Sequence, residues 1–200
     1  MKIFCYFNTG RIQCKHILGY TLCMEESDKK SSDIIGWREW VSLPFIGLIG
    51  IKAKVDTGAK TSSLHAFDIH LEKKLSGKTY VNFKVHPIQN EMSFVVSCRA
   101  LLVGRRVVTD SGGHKEERYL IRTTLELGKV KKKVDLTLTN RETMKYRMLI
   151  GRGAMKAFYI DPTQSYLTGK TLKQKKFLKE VRAELKKLRS GVPHQSLPRE

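Results

Sequence analysis

The chain has 200 residues, 40% of them hydrophobic, which suits one domain with tails and enough apolar material for a core. A formal charge of +19, with 38 Lys and Arg against 19 Asp and Glu, points to polyanionic or acidic partners. No segment approaches a membrane-spanning length, and in the first twenty residues Asn8, Arg11, Gln13, Lys15 and His16 break any secretory apolar run.

Three of the four cysteines, Cys5, Cys14 and Cys23, fall in the first two dozen residues, with only Cys98 further on. A disulfide-built secreted scaffold distributes its cysteines through the fold, so reduced thiols and a cytoplasmic location are expected. Residues 24 to 33, MEESDKKSSD, turn polar, and nothing before them is periodic. Residues 1 to 35 therefore read as an unstructured or mis-started extension, with Met24 as the expected biological start. The ordered domain is expected over residues 36 to 168, beginning at Gly36 with Trp37 and Trp40.

Ile51, Ala53 and Val55 alternate with Lys52 and Lys54, so a half-buried strand delivers Asp56 to its end, followed by Thr57, Gly58 and Ala59. This strand-to-turn sequence has two readings. Asp56 could merely satisfy turn amides, or it could be a catalytic carboxylate. The catalytic chemistry needs a second carboxylate, which one such loop supplies only through a homodimer or a second acidic loop.

Further alternating runs follow over 64 to 71, 80 to 85, 93 to 103, 105 to 108, 118 to 124 and 131 to 138, each bounded by turn residues. Strands this closely spaced predict a mainly β fold, a compact barrel or sandwich. Between two of them, Ser111, Gly112, Gly113 and His114 suit a hairpin tip, either a plain surface turn or a flap over a carboxylate site. Ser111 lies in a Asp-Ser-Gly-Gly run like the nucleophile loop of chymotrypsin-like proteases. Thr109 and His114 depart from that pattern and no placed base is visible, so the serine reads as a turn residue.

Later, Arg147 to Phe158 joins an apolar pair to Gly151, Arg152 and a short helical run. Gly151 would permit close packing against the Asp56 loop, and Arg152 could clamp its backbone. The plainer reading is a strand-to-helix connection with a solvent-facing arginine. In residues 171 to 190, Leu178, Val181, Leu185 and Leu188 fall at helical spacing among lysines and arginines. This basic C-terminal helix, with its tail over 169 to 200, either docks on the barrel or forms a contact for ribosome, RNA or another polyanion.

The order of these pieces resembles that of the retropepsins. The longer segments GWREWVSLP (36 to 44), KVDTGAKTSSLHAFDI (54 to 69), HPIQ (86 to 89), VVTDSGGHKEERYLIRT (107 to 123), LTLTNRETMKYRMLIGRGAM (136 to 155) and DPTQSYL (161 to 167) resemble the bacterial RimB family. That resemblance implies a closed retropepsin-like β-barrel with a short helix after Leu-Ile-Gly-Arg. It also implies an aspartic endopeptidase with Asp56 catalytic and Thr57, Gly58 and Ala59 as its active-site loop, acting as a homodimer on a protein or peptide substrate. The family's association with RimK-type glutamate ligases and ribosomal protein S6 suggests the setting. The other class of function is a non-catalytic regulator that binds such an ATP-grasp ligase or a ribosomal component.

Members of the family are often labelled ATP-dependent zinc proteases. No His-Glu-x-x-His occurs, His65 and His70 would face opposite ways on a strand, and no Gly-x4-Gly-Lys-Ser/Thr cradle is present. No metal or other cofactor is expected, and any ATP dependence would belong to a partner.

Overall fold

The structure, a computed structural model, describes residues 33–109, 112–140, 144–156 and 158–190. The expected extension therefore lies outside the described residues except at its end. There, strand β1 (Asp33–Gly36) precedes the point where composition placed the start of the domain.

Strands β2 (Arg38–Leu43), β3 (Leu48–Val55), β4 (Ser62–His65), β8 (Lys115–Leu127), β9 (Val130–Thr139) and β10 (Met148–Ile150) form a closed six-strand barrel in the order β2-β3-β10-β4-β9-β8. Closure comes from the last residues of β8, where Leu127 and Glu126 pair with Val41 and Ser42 of β2. The start of β8 splays away from β2 and pairs with β7 (Val96–Thr109), which carries β6 (Thr79–Val85) and β5 (Phe67–Lys73) beyond the barrel. The expected mainly β, retropepsin-like barrel is the observed fold.

Alternation explains which faces point inward. In β3, Ile51, Ala53 and Val55 are buried while Lys54 is exposed. They meet Leu64, Ile121, Leu125, Leu136, Leu138 and Met148 in one contiguous apolar core.

Two of the alternating runs divide differently from their sequence pattern. The stretch 93 to 103, from Val96 onward, and the stretch 105 to 108 belong to one fourteen-residue strand, β7, because Gly104 takes part in a bulge instead of ending the strand. The run 64 to 71 splits at Ala66, whose N–H bonds to Thr139 O at 3.0 Å, so it contributes to both β4 and β5.

Helix α1 (Arg152–Met155) follows the last barrel strand, and β11 (Phe158–Asp161) pairs in parallel with β1. The residues after β11 return across β2: Gln164 O accepts from Trp37 N at 3.0 Å, and Tyr166 N donates to Arg38 O at 2.8 Å. Glu39, fully buried, ties this strap down. Its Oε1 accepts from Gly36 N at 2.8 Å and its Oε2 from Thr168 Oγ1 at 2.8 Å. Glu39→Ala strands those buried donors and should cost about 3 kcal/mol in urea unfolding. A loss below about 0.5 kcal/mol would show that the strap does not depend on this carboxylate.

Helix α2 (Leu172–Ser190) starts at a reciprocal cap: Gln174 N donates to Thr171 Oγ1 at 3.3 Å, and Thr171 N donates to Gln174 Oε1 at 3.0 Å. Gln174 Nε2 also reaches Ser42 Oγ on the barrel at 3.0 Å. Leu178, Val181 and Leu185 are buried, and Leu178 packs over Gly50, whose φ of +78° suits glycine. The apolar stripe thus docks on the barrel and leaves lysines and arginines on the exposed side. Among the described residues no helix is long and apolar enough to cross a membrane.

Candidate active site

The topology of the barrel creates the site. Strands β3 and β4 follow one another in sequence, yet β10 lies between them, parallel to β3 and antiparallel to β4. The segment 56 to 61 must therefore cross the end of β10, and it does so directly over Gly151. A Cβ on Gly151 would stand 2.6 Å from Thr61 C and 2.9 Å from Ser62 N, so only glycine leaves room for the crossing.

The crossing is fixed by backbone hydrogen bonds. Asp56 N donates to Ile150 O at 2.9 Å, Arg152 N to Ala59 O at 2.9 Å and Gly153 N to Lys60 O at 3.0 Å. Gly151 N donates to Ser62 Oγ at 3.0 Å. Arg152 then folds its guanidinium over the loop, its Nη1 donating to Thr57 O and Gly58 O at 2.7 Å each.

Asp56 itself is half-buried. Its Oδ1 accepts from Gly58 N and Ala59 N, both at 3.1 Å, which orients the carboxylate rigidly at the strand end. Among the described residues Oδ2 accepts no hydrogen bond. Thr57 and Gly58 are exposed, and the Thr57 hydroxyl has no partner among the described residues. The loop thus offers one oriented carboxylate with one oxygen committed to the backbone and the other available.

The β7–β8 hairpin approaches from the far end of the loop. Arg106 Nη1 on β7 donates to Thr61 Oγ1, and the two strands remain paired out to Thr109 and Lys115. Gly112, Gly113 and His114 are exposed just before β8, Gly113 with φ +85°, while Ser111 lies outside the described residues. The structure therefore brings Asp56, Thr57, Gly58, Ala59, Gly151 and Arg152 together and ties the hairpin's strand to the same loop.

Sequence reading missed two contributors. Ser62 receives the Gly151 amide, and its neighbours give it no distinguishing mark in sequence. Arg106 is one of many arginines, and only the register of β7 against β8 shows that it reaches Thr61.

Among the described residues no three His, Cys, Asp or Glu side chains cluster as metal ligands. His86 stacks on Phe67 with ring centroids 4.3 Å apart, and His65 stacks on the same pair at about 6 Å. Burial pushes the Cys98 thiol up to about 12, so it stays protonated at neutral pH. Peptide mapping after alkylation of the native protein should find Cys98 unmodified, and modified only after unfolding in urea. Rapid native labelling there would mean the sheet opens at β7.

Residues 34–171 match a family described as "Retropepsin-like aspartic endopeptidase RimB". The chain belongs to the RimB-like family. RimB-like sequence also occurs within longer proteins. Two, named "Probable alpha-L-glutamate ligase", from Shewanella pealeana and Shewanella halifaxensis, are each 44% identical over 137 residues, 68% of this chain. A third of that name, from Parasynechococcus marenigrum, is 43% identical over 160 residues, 80% of this chain. The RimB-like chain spans only 30% of the length of the Shewanella relatives and 34% of the third. The crystal structure of a Legionella pneumophila protein of unknown function aligns with a TM-score of 0.56 and 30% identity, covering 69% of this chain and 99% of that one.

Proposed function

We propose that this RimB-like chain is an aspartic endopeptidase whose catalytic dyad forms from the Asp56 carboxylates of two copies. The observation that carries the reading is the loop itself: a single carboxylate, oriented through Oδ1 by two backbone amides and open at Oδ2, at the crossing that Gly151 and Arg152 hold. A carboxylate pair about 3 Å apart cannot easily ionise twice, so it shares one proton. The ionised partner then takes a proton from water as the water oxygen attacks the peptide carbonyl carbon. The protonated partner donates toward the carbonyl oxygen, giving a tetrahedral diol. Return of a proton to the amide nitrogen lets the C–N bond break, releasing a carboxylic acid and an amine.

The β7–β8 hairpin would cover an extended substrate, with Gly112, Gly113 and His114 near its tip and Arg106 anchoring its strand. An acidic peptide suits the basic chain. The relatives' names suggest a glutamate ligase, or a protein that such a ligase has modified, as partner or substrate; within that class, the family resemblance favours a RimK-like ligase and ribosomal protein S6.

The names of those relatives also favour a second reading. A domain covering under a third of a protein named as a glutamate ligase could regulate the ligase by binding, with Asp56 only ordering its turn. The test is digestion of a peptide library at acidic to neutral pH, with and without a chelator. Chelator-insensitive cuts support the peptidase. A well-folded dimer that cuts nothing, yet pulls down a glutamate ligase, supports the regulator.

A further inference from the structure

Beside the Asp56 loop is a bowl of about 700 Å³ whose lining includes Lys60, Arg106, Arg122, Lys133, Arg152 and Lys156. These six cations come from the loop, from three strands and from the α1 region, so the barrel gathers them from distant parts of the sequence. The acid in the lining, Asp135, is already engaged by Arg122 at 2.7 and 3.3 Å. Among the described residues no carboxylate pairs with Lys60, Lys133 or Lys156 within salt-bridge distance. Lys132, on the same strand as Lys133, is held below the usual lysine range, first by burial and then by the charge of Lys156.

The position of this charge matters because the dyad needs two chains. Arg152 lies on the carbonyls of Thr57 and Gly58, next to the carboxylate, and Lys60 is four residues beyond it. Bringing two Asp56 carboxylates to about 3 Å turns the loops that carry Arg152 and Lys60 in the two copies toward each other. Like charges juxtaposed across an interface oppose association.

We infer that pairing of two copies depends on a multivalent anion, displaying several carboxylates or phosphates, that occupies this bowl and neutralises the face around the Asp56 loop. The inference rests on the two-chain dyad proposed above. Without the anion the chain is a monomer with half a site. With it the dyad assembles where the anion is, so hydrolysis is confined to anionic surroundings and other proteins are spared. Arg122 is turned to Asp135, but Arg106 and Arg152 keep guanidinium donors beyond the Nη1 already engaged, and three lysines supply adaptable point charges. Both match carboxylate and phosphate groups alike.

Sedimentation velocity of the full chain at low ionic strength tests this, with no addition, with tripolyphosphate or with decaglutamate. The chain alone should sediment as a monomer. At least one probe should tighten the dimer by about tenfold or more, with the mass increase stopping at two copies. Comparing the probes tells which anion source is read. Lys60→Gln, Lys133→Gln and Lys156→Gln combined should dimerise without addition and lose the response.

A wild-type dimer equally tight without anion overturns the inference. So does a mass that keeps growing past the dimer, or a triple variant that responds like wild type. Because the readout is mass, the two proposals fail separately. An anion-dependent dimer that cuts no peptide removes the peptidase reading alone, and a constitutive dimer that cuts removes this inference alone.

Discussion

Asp56→Asn is expected to abolish peptide-bond cleavage while leaving the fold intact. The amide keeps an oxygen able to accept from Gly58 N and Ala59 N, as Oδ1 does at 3.1 Å, so the turn holds its geometry. What disappears is the ability to share and move a proton. In a dyad built from two copies both members change at once, removing the base that activates water and the acid that protonates the carbonyl oxygen. Removing a positioned acid–base group typically costs about 10²–10⁴-fold, so a loss of about 10³-fold or more is expected in kcat. Rates of chelator-insensitive cuts, measured beside unfolding curves for both proteins, check this. Mixing the two chains adds a sharper readout: if subunits exchange, activity should fall as the square of the wild-type fraction, because a mixed pair has only one aspartate. A linear fall would place the whole site in a single chain, and unchanged cutting by the variant would remove Asp56 from the chemistry.

The sequence makes the Asp56 loop visible because its signals are local. Ile51, Ala53 and Val55 alternate up to the carboxylate, and Thr57-Gly58-Ala59 turns immediately after it. Other features depend on pairings between distant residues, which local pattern does not encode. Barrel closure rests on Leu127 and Glu126 meeting Val41 and Ser42, more than eighty residues earlier. Strand β10 is three residues long, too short for alternation to mark, yet its insertion between β3 and β4 is what forces the loop to cross. Gly104 reads as a break between two strands, but a bulge absorbs it and β7 continues. The cationic bowl is the least legible part. Lys60, Arg106, Arg122, Lys133 and Lys156 each look like an ordinary outward residue of a loop or strand, and only the closed barrel shows that they share one cavity. The basic helix has two readings in sequence, docked on the barrel or a contact for ribosome, RNA or another polyanion. Its cap, Thr171 with Gln174, is local, but the Gln174 to Ser42 contact is readable only once β2 and α2 lie side by side.

Gly151→Ala should be the most damaging substitution that changes no ionisable group. The added methyl carbon would sit 2.6 Å from Thr61 C, 2.8 Å from Thr61 O and 2.9 Å from Ser62 N. All three are backbone atoms, so no side chain can swing away to make room. Either the loop lifts off β10 or β10 recedes into a core where its flanking Ile150 and Met148 are fully buried. Lifting the loop breaks Asp56 N to Ile150 O, Arg152 N to Ala59 O and the Gly151 N to Ser62 Oγ contact, which together fix the carboxylate. Overpacking of this kind typically costs about 1–3 kcal/mol, and the lost backbone bonds add to it, so a loss of about 3 kcal/mol or more in unfolding free energy is expected. Activity should fall further than the folded fraction does, because a displacement of about 1 Å in a positioned group can cost about 100-fold in rate. Ala154→Gly, three residues later in the short helix that follows, controls for general disturbance of α1. It should keep cleavage and lose only stability. A Gly151→Ala protein with wild-type stability and rate would mean that the loop does not pass over β10 as the topology requires.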